Sequence, residues 1–281
     1  MDKVALKERE RNTWTYAAEG WRRQDEMLRK GAAPATDRML VLAGLASGER
    51  VLDIASGTGE PAISAAHIVG SGGQVIGIDL VDEMLSVARE KAEAAQLKNI
   101  EFIHMDGEAL ANLPGKFDVV TMRWGLMFMP DPGACLRRAH SAMQTGGRLV
   151  LACWAAPEKN PFVSLLMKIL AKYTEIPKPP VGTPGIFAMA DPDRLRDVVI
   201  TAGFTDFRIE ALELDVIEVA DGAAYWQSIS DLAAPVMVLV NELSAEDREC
   251  YINEVIEAAN ALKEGDSLKM KGTTWIASAK K

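Results

Sequence analysis

The run Val51-Leu52-Asp53-Ile54-Ala55-Ser56-Gly57-Thr58-Gly59-Glu60-Pro61 decides the fold, together with Val75-Ile76-Gly77-Ile78-Asp79 about twenty residues on. Val51–Ile54 is apolar enough to be a buried strand. It breaks on small residues and two glycines. Helical spacing follows from Glu60 to Val69, closed by Gly70-Ser71-Gly72-Gly73, and Gln74–Asp79 forms a second strand ending on a carboxylate. Strand, glycine turn, helix, strand and acidic residue is the layout of a nucleotide-type binding site on a βαβ unit.

Working outward, the same alternation continues for about a hundred residues. Asp82 can cap a helix with Met84, Leu85, Ala88 and Ala92 on one face. Asn99–His104 and Phe117–Met122 read as strands, with a turn at Leu113-Pro114-Gly115 between them. A helix from Asp131 to Met143 stops at Gly146-Gly147, and Arg148–Trp154 is the fifth strand. Such alternation demands a mostly parallel sheet with helices on both faces. The ending differs: a long strand-like run from Thr205 to about Val219, a helical stretch over Gly222–Lys263, and a last strand at 273–279. Two strands without an ordinary crossover predict an antiparallel pairing at the sheet edge. The expected fold is a doubly wound, Rossmann-like α/β sheet of seven strands, the last antiparallel.

Four regions follow. Residues 1–45 form an N-terminal helical cover, with a helix over 3–30, a break at Gly31-Ala32-Ala33-Pro34 and a second helix from Thr36 to Leu45. Residues 46–155 form the α/β core. A proline-rich insertion at 156–192 has its own helix near Val163–Tyr173. Residues 193–281 complete the sheet, with a helical lid at about 220–265.

The 281 residues carry a formal net charge of -9. An acidic chain repels phosphate backbones, and no local basic patch overrides the mean, so nucleic acid is not expected as a partner. No stretch reaches the length of a membrane span, and the charged amino terminus lacks an apolar signal core. Cys135, Cys153 and Cys250 are too far apart for a zinc site or a disulfide framework. A cytoplasmic setting is expected, as a monomer or homodimer. His67, His104 and His140 have no carboxylates at metal-ligand spacing, so no metal is expected.

Three strand ends supply the site. Gly57 and Gly59 let the backbone turn sharply and approach a ligand. Asp79 can accept both hydroxyls of a ribose. Asp106, in Met105-Asp106-Gly107-Glu108, can accept from an adenine amino group. Gly57-Thr58-Gly59-Glu60-Pro61-Ala62 also satisfies a dinucleotide pattern, which keeps an NAD(P)-dependent oxidoreductase as an alternative, beside a non-catalytic cofactor-binding protein. Asp53 and Glu60 would oppose a pyrophosphate, however, and suit a ligand with an ammonium and a sulfonium. That favours S-adenosylmethionine.

These segments, with Phe117-Asp118-Val119-Val120 and Gly146-Gly147-Arg148-Leu149, resemble the class I S-adenosylmethionine-dependent methyltransferases, above all the branch of the ubiquinone and menaquinone C-methyltransferases and related small-molecule enzymes. The resemblance covers about residues 45–155. It implies that the Asp53–Gly59 loop, with Ala55 and Ser56, holds the methionine part. Asp79 would bind the ribose, with Leu80 and Met84 near the adenosine. Asp106 and Gly107 would meet the adenine, with Glu108 beside them, and Arg123 would line the methionine end. Ala55-Ser56 departs from the commoner acidic-Gly-x-Gly form. Tyr16 and Trp21, with Trp14, are candidates to cover the cofactor through an aromatic face near the sulfonium. Trp124, Phe128 and Trp154 could wall an apolar acceptor pocket. The expected reaction is methyl transfer to a small, apolar or aromatic acceptor, at oxygen or carbon, by in-line displacement. No catalytic base is identified.

Overall fold

The computed structural model describes residues 2–110, 113–176, 180 and 182–281. Two helices, α1 (Lys3–Arg23) and α2 (Asp25–Ala43), lead into β1 (Arg50–Ile54), α3 (Ala62–Val69), β2 (Gln74–Asp79), α4 (Asp82–Ala94) and β3 (Ile100–His104). Next come β4 (Phe117–Arg123), α5 (Pro132–Ala142), β5 (Met143–Trp154), α6 (Pro161–Leu170) and α7 (Pro192–Thr201). The chain closes with β6 (Thr205–Val219), α8 (Gly222–Leu232), α9 (Ala234–Asn241), α10 (Ala245–Asn260) and β7 (Leu268–Lys280).

The strands form one sheet in the order β3-β2-β1-β4-β5-β7-β6. The first five pair in parallel, and β7 runs antiparallel to both β5 and β6. The expected seven-stranded sheet with an antiparallel last strand is what the chain builds. β7 slots between β5 and β6 rather than lying at the edge. The apolar runs at 51–54, 75–78 and 119–122 are buried along their length, as strands covered on both faces must be. The strand order turns back between β1 and β4, and ligands of open α/β sheets bind outside the strand ends at such a point.

Two local expectations change. Val81, not Asp82, is the N-cap of α4. Asp82 sits in the first turn, where its charge still suits the positive end of the helix, and pairs with Arg89 at 2.8 Å. More consequentially, the break expected at Gly31–Pro34 falls instead at Gln24, and Pro34 lies inside α2. Gly31 is a packing glycine rather than a helix breaker: a Cβ there would lie 2.1 Å from the Val216 carbonyl oxygen on β6. Gly20 plays the same part in α1, where a Cβ would meet the Asp231 carbonyl oxygen at 2.3 Å. Each glycine lets a helix backbone press onto a neighbouring backbone. Of the insertion at 156–192, α6 and the segment leading to α7 are described, while 177–179 and 181 lie outside the described residues.

Gly31→Ala separates the two roles. Helix propensity alone would reward alanine by about 1 kcal/mol. A packing glycine predicts the opposite sign, a loss of about 1–3 kcal/mol from overpacking. Urea unfolding of the two proteins measures this, and a raised midpoint for the variant would show that α2 does not press on β6.

Candidate active site

β1 ends at Ile54, and the turn beyond it is wound through left-handed backbone at Ala55 (φ 57°), Gly57 (φ 52°) and Gly59 (φ 108°). The two glycines do different work. A Cβ on Gly57 would stand in open space, with nothing within 4 Å. Gly59 is packed: a Cβ there would come within 2.7 Å of Ile63 and 3.2 Å of Ala88. Ala55 adopts an angle that ordinarily favours glycine, so the departure from a glycine-only loop changes the residue and keeps the geometry. The Ser56 hydroxyl donates to the Asp53 carbonyl at 2.9 Å.

Asp79 ties this turn to β2. One carboxylate oxygen accepts from the Gly57 N–H at 2.8 Å and the other from the Val81 N–H at 2.9 Å. Burial pushes its pKa up, against these amide hydrogen bonds. At the β3 end, Asp106 caps a single 3-10 turn by accepting from the Glu108 N–H at 2.9 Å. Glu108 accepts from the Asp131 N–H at 2.7 Å. At the β4 end, Arg123 donates to the Thr36 hydroxyl at 2.6 Å. Burial draws the guanidinium below its usual pKa, opposed by the charges of Glu60, Asp53 and Asp25.

These strand ends open on one cavity. Ala55, Ser56, Gly57, Asp79, Leu80, Met84, Asp106, Gly107, Glu108 and Arg123 all line it. So do Trp21, Trp124 and Phe128. Trp124 is held in left-handed backbone (φ 58°), its indole N–H donates to the Thr274 hydroxyl at 3.0 Å, and its ring lies 5.0 Å from the Arg123 guanidinium carbon.

Four sequence candidates stand elsewhere. Asp53 is fully buried behind the turn, between β1 and β4, where the Thr121 hydroxyl donates to it at 2.7 Å. Its second carboxylate oxygen has no partner, and burial pushes the group up to about 7. It supports the loop from beneath rather than lining the cavity. Gly59 is taken up by helix packing. Tyr16 points to solvent, 73% exposed, because it lies off the inward stripe of α1. Trp154 is buried one layer back: it stacks on Trp124 at 4.4 Å and 12° and leans on Phe162 at 4.7 Å. It braces the wall that Trp124 presents.

Two charged residues that sequence reasoning missed come from α1: Lys7 and Glu10 line the cavity along with Trp21 and the Trp14 expected beside it. The Lys7 ammonium sits 2.6 Å from both Asp106 and Glu108. Desolvation pulls its pKa down, but the two carboxylates outweigh that and leave it raised. Trp14 meets Phe128 edge-on at 4.9 Å and Trp21 at 5.5 Å. The signal was available in outline, since positions 7, 10, 14 and 21 share one helical face. What that face covers is not written in local sequence.

Five carboxylates line the cavity, Glu10, Glu60, Asp79, Asp106 and Glu108, against two cations, Lys7 and Arg123. That excess suits a ligand of net positive charge and opposes a pyrophosphate. His104 lies outside the lining, its Nε2 3.0 Å from the Leu80 carbonyl. Among the described residues no group of three or more His, Cys, Asp or Glu side chains is placed to hold a metal, and no helix is long and apolar enough to cross a membrane.

Residues 45–179 match the family model described as a methyltransferase domain. A ubiquinone/menaquinone biosynthesis C-methyltransferase of Marinomonas sp. (strain MWYL1) is 35% identical over 132 residues, 47% of this chain and 51% of that protein. The chain thus spans about half the length of that curated relative. In fold, it is similar to the YcgJ protein of Bacillus subtilis (TM-score 0.56, 18% identity, 89% of this chain and 99% of that one). The Haemonchus contortus phosphoethanolamine N-methyltransferase 2 in complex with S-adenosyl-L-methionine is also similar (TM-score 0.52, 17% identity, 88% of this chain and 52% of that one). The glycine turn, the acidic strand ends and the domain match agree: residues 45–179 match a methyltransferase domain, and this part of the chain is similar to the ubiquinone/menaquinone C-methyltransferases.

Proposed function

We propose that the chain transfers the methyl group of S-adenosylmethionine to a small acceptor with an apolar or aromatic body. The single observation that carries this is the convergence of Gly57, Asp79 and Asp106 on one cavity that Trp14, Trp124 and Phe128 also line. The open space at Gly57 leaves its backbone free to approach the methionine part. Asp79 would accept the ribose hydroxyls, and Asp106 the adenine amino group. Arg123 and Glu60 lie where an α-carboxylate and an α-ammonium would find opposite charges. Bound there, the cofactor supplies an electrophilic methyl on a positively charged sulfur.

The chain's own contribution is then alignment and water exclusion. Methyl transfer is an in-line displacement, and holding two reactants in register supplies about 7–11 kcal/mol in favourable intramolecular models. The Trp14, Trp124 and Phe128 rings give an apolar acceptor an apolar lining that excludes water. The backing stack of Trp154 on Trp124 fixes the position of one ring, which in-line geometry requires. Incubation with labelled cofactor and a metabolite extract, followed by mass spectrometry, identifies the acceptor. Bound cofactor with no transfer to any component would favour the non-catalytic reading, and turnover of NAD(P)H the oxidoreductase reading.

Asp79→Ala removes the ribose acceptor. Hydrogen bonds to a charged group contribute about 1.5–3 kcal/mol, so cofactor affinity should fall by about 10- to 150-fold. Calorimetry with S-adenosylhomocysteine measures this, and unchanged affinity refutes the ribose assignment. The negative excess in the cavity makes a second prediction. S-adenosylmethionine carries one more positive charge than S-adenosylhomocysteine, so its affinity should fall more steeply as salt rises from low to molar concentration, where screening shortens to about 3 Å. Parallel slopes for the two ligands would show that the cavity's charge does not reach the sulfur.

A further inference from the structure

Glu10 is the anomaly in this cavity. It lies on the inner face of α1, 8% exposed, among Trp14, Phe128 and Met105 along the same lining. Burying a carboxylate in apolar surroundings is costly unless something compensates it. Its hydrogen-bond partner is Arg9, at 2.9 Å, whose own side chain is 55% exposed. The other four lining carboxylates are engaged across the fold. Asp79 holds the Gly57 and Val81 amides. Asp106 and Glu108 hold Lys7, and Glu108 also takes the Asp131 amide. Glu60 faces the Arg123 charge and accepts from the Ser64 N–H at 3.3 Å. Among the described residues, Glu10 alone of the five lines the cavity with no hydrogen-bond or ion-pair partner from another element of the fold.

We infer that Glu10 receives the proton of the methyl acceptor, and that the acceptor is therefore a hydroxyl carried on an aromatic ring. This rests on the reading of the cavity as a methyl-transfer site. The hydroxyl oxygen forms the new O–CH3 bond with its lone pair, the CH3–S bond breaks with its electron pair going to sulfur, and the O–H proton passes to a Glu10 carboxylate oxygen. The products are an aryl methyl ether, a neutral thioether and a neutral Glu10, so one positive and one negative charge vanish together. An aromatic ring suits a cavity that Trp14, Trp124 and Phe128 line. The charged groups that line the cavity with Glu10 are Lys7 on its own helix, Asp106 and Glu108 after β3, Asp79 at the β2 end, Glu60 after β1 and Arg123 on β4, and Arg9 pairs with it from the adjacent position. Burial raises the pKa of Glu10, against the lowering effect of Arg9, and so moves it toward the range in which a general base works at neutral pH.

The test uses the whole chain saturated with S-adenosylhomocysteine, with 2-naphthol, 2-methoxynaphthalene and naphthalene as probes in calorimetry. The wild-type chain should bind 2-naphthol about tenfold more tightly than the other two, as a hydrogen bond to a charged group requires. Glu10→Gln should erase most of that preference while leaving S-adenosylhomocysteine affinity within about twofold. Glu10→Asp, which keeps the charge, should retain part of the preference. With S-adenosylmethionine and 2-naphthol, mass spectrometry should show kcat about 100-fold lower in Glu10→Gln, the scale of general-base assistance, with KM for the cofactor little changed. The rise of wild-type kcat with pH, as Glu10 loses its proton, should be absent in that variant. Equal or absent binding of the three probes overturns the proposal, as does a preference that survives in Glu10→Gln. A more than tenfold loss of S-adenosylhomocysteine affinity in the variant also overturns it, by making Glu10 a cofactor ligand. Failure of the wild-type chain to bind S-adenosylhomocysteine sinks the reading of the site itself, a distinct result.

Discussion

The Asp79 carboxylate bridging the Gly57 and Val81 amides holds the rest of the site in place. It fastens the turn after β1 to the end of β2, next to the backbone bond from the Ser56 N–H to the Ile78 carbonyl at 3.0 Å. A carboxylate with two oxygens can take one amide on each and keep lone pairs for a ligand. The glycine turn is therefore shaped by the residue to which we assign the ribose. On that assignment loop geometry and ligand recognition are coupled through one side chain, at the sheet's switch point.

Much of this was legible locally. The strand runs announce themselves because buried parallel strands are continuously apolar, and the glycines at 57 and 59 stand where a strand meets a helix. Residues whose side chains must leave the strand ends, Asp79 and Asp106, were legible for the same reason. The misreadings share a different cause. Gly31 and Pro34 look like a helix break because local propensity disfavours them in helices. Tertiary packing overrides propensity, since the same glycine lets α2 touch the β6 backbone. Asp53 is expected at the cofactor from its charge and its place before the glycine turn, and Trp154 from its place at a strand end. Depth decides instead: Asp53 points into the sheet toward Thr121, and Trp154 lies behind Trp124.

The contribution of α1 lay furthest from local reading. Lys7 meets Asp106 at a sequence separation of 99, and Lys3 meets Asp131 at one of 128. No periodicity encodes such a distance. The sequence does show a helix with an unusual inner stripe, in which a lysine, a glutamate and two tryptophans occupy positions an ordinary amphipathic helix gives to aliphatic residues. Such a stripe conflicts with simple core packing, and local rules tend to be broken where function requires it. The partly buried Lys7 bridge and the edge-on contact of Trp14 with Phe128 make α1 a fourth wall of the cavity, facing the three strand ends.

Opposite that wall, the backbone itself is bent to orient the aromatic surface. Ala55 and Trp124 both adopt left-handed angles, each costing of order 1–3 kcal/mol for a residue with a Cβ. They meet at Gly125, where a Cβ would stand 2.4 Å from that of Ala55. Gly125 lets the two strained turns nest. The inversion at Trp124 lays its indole flat on Trp154, gives the ring N–H to Thr274 on β7, and leaves the ring lining the cavity beside Arg123. A relaxed backbone at this position would turn the ring elsewhere and lose both the stack and the hydrogen bond. The rigidity that the proposed transfer needs is thus built from the β4 end, β5 and β7 together, which explains why the antiparallel last strand, remote from the glycine turn in sequence, supports the same cavity.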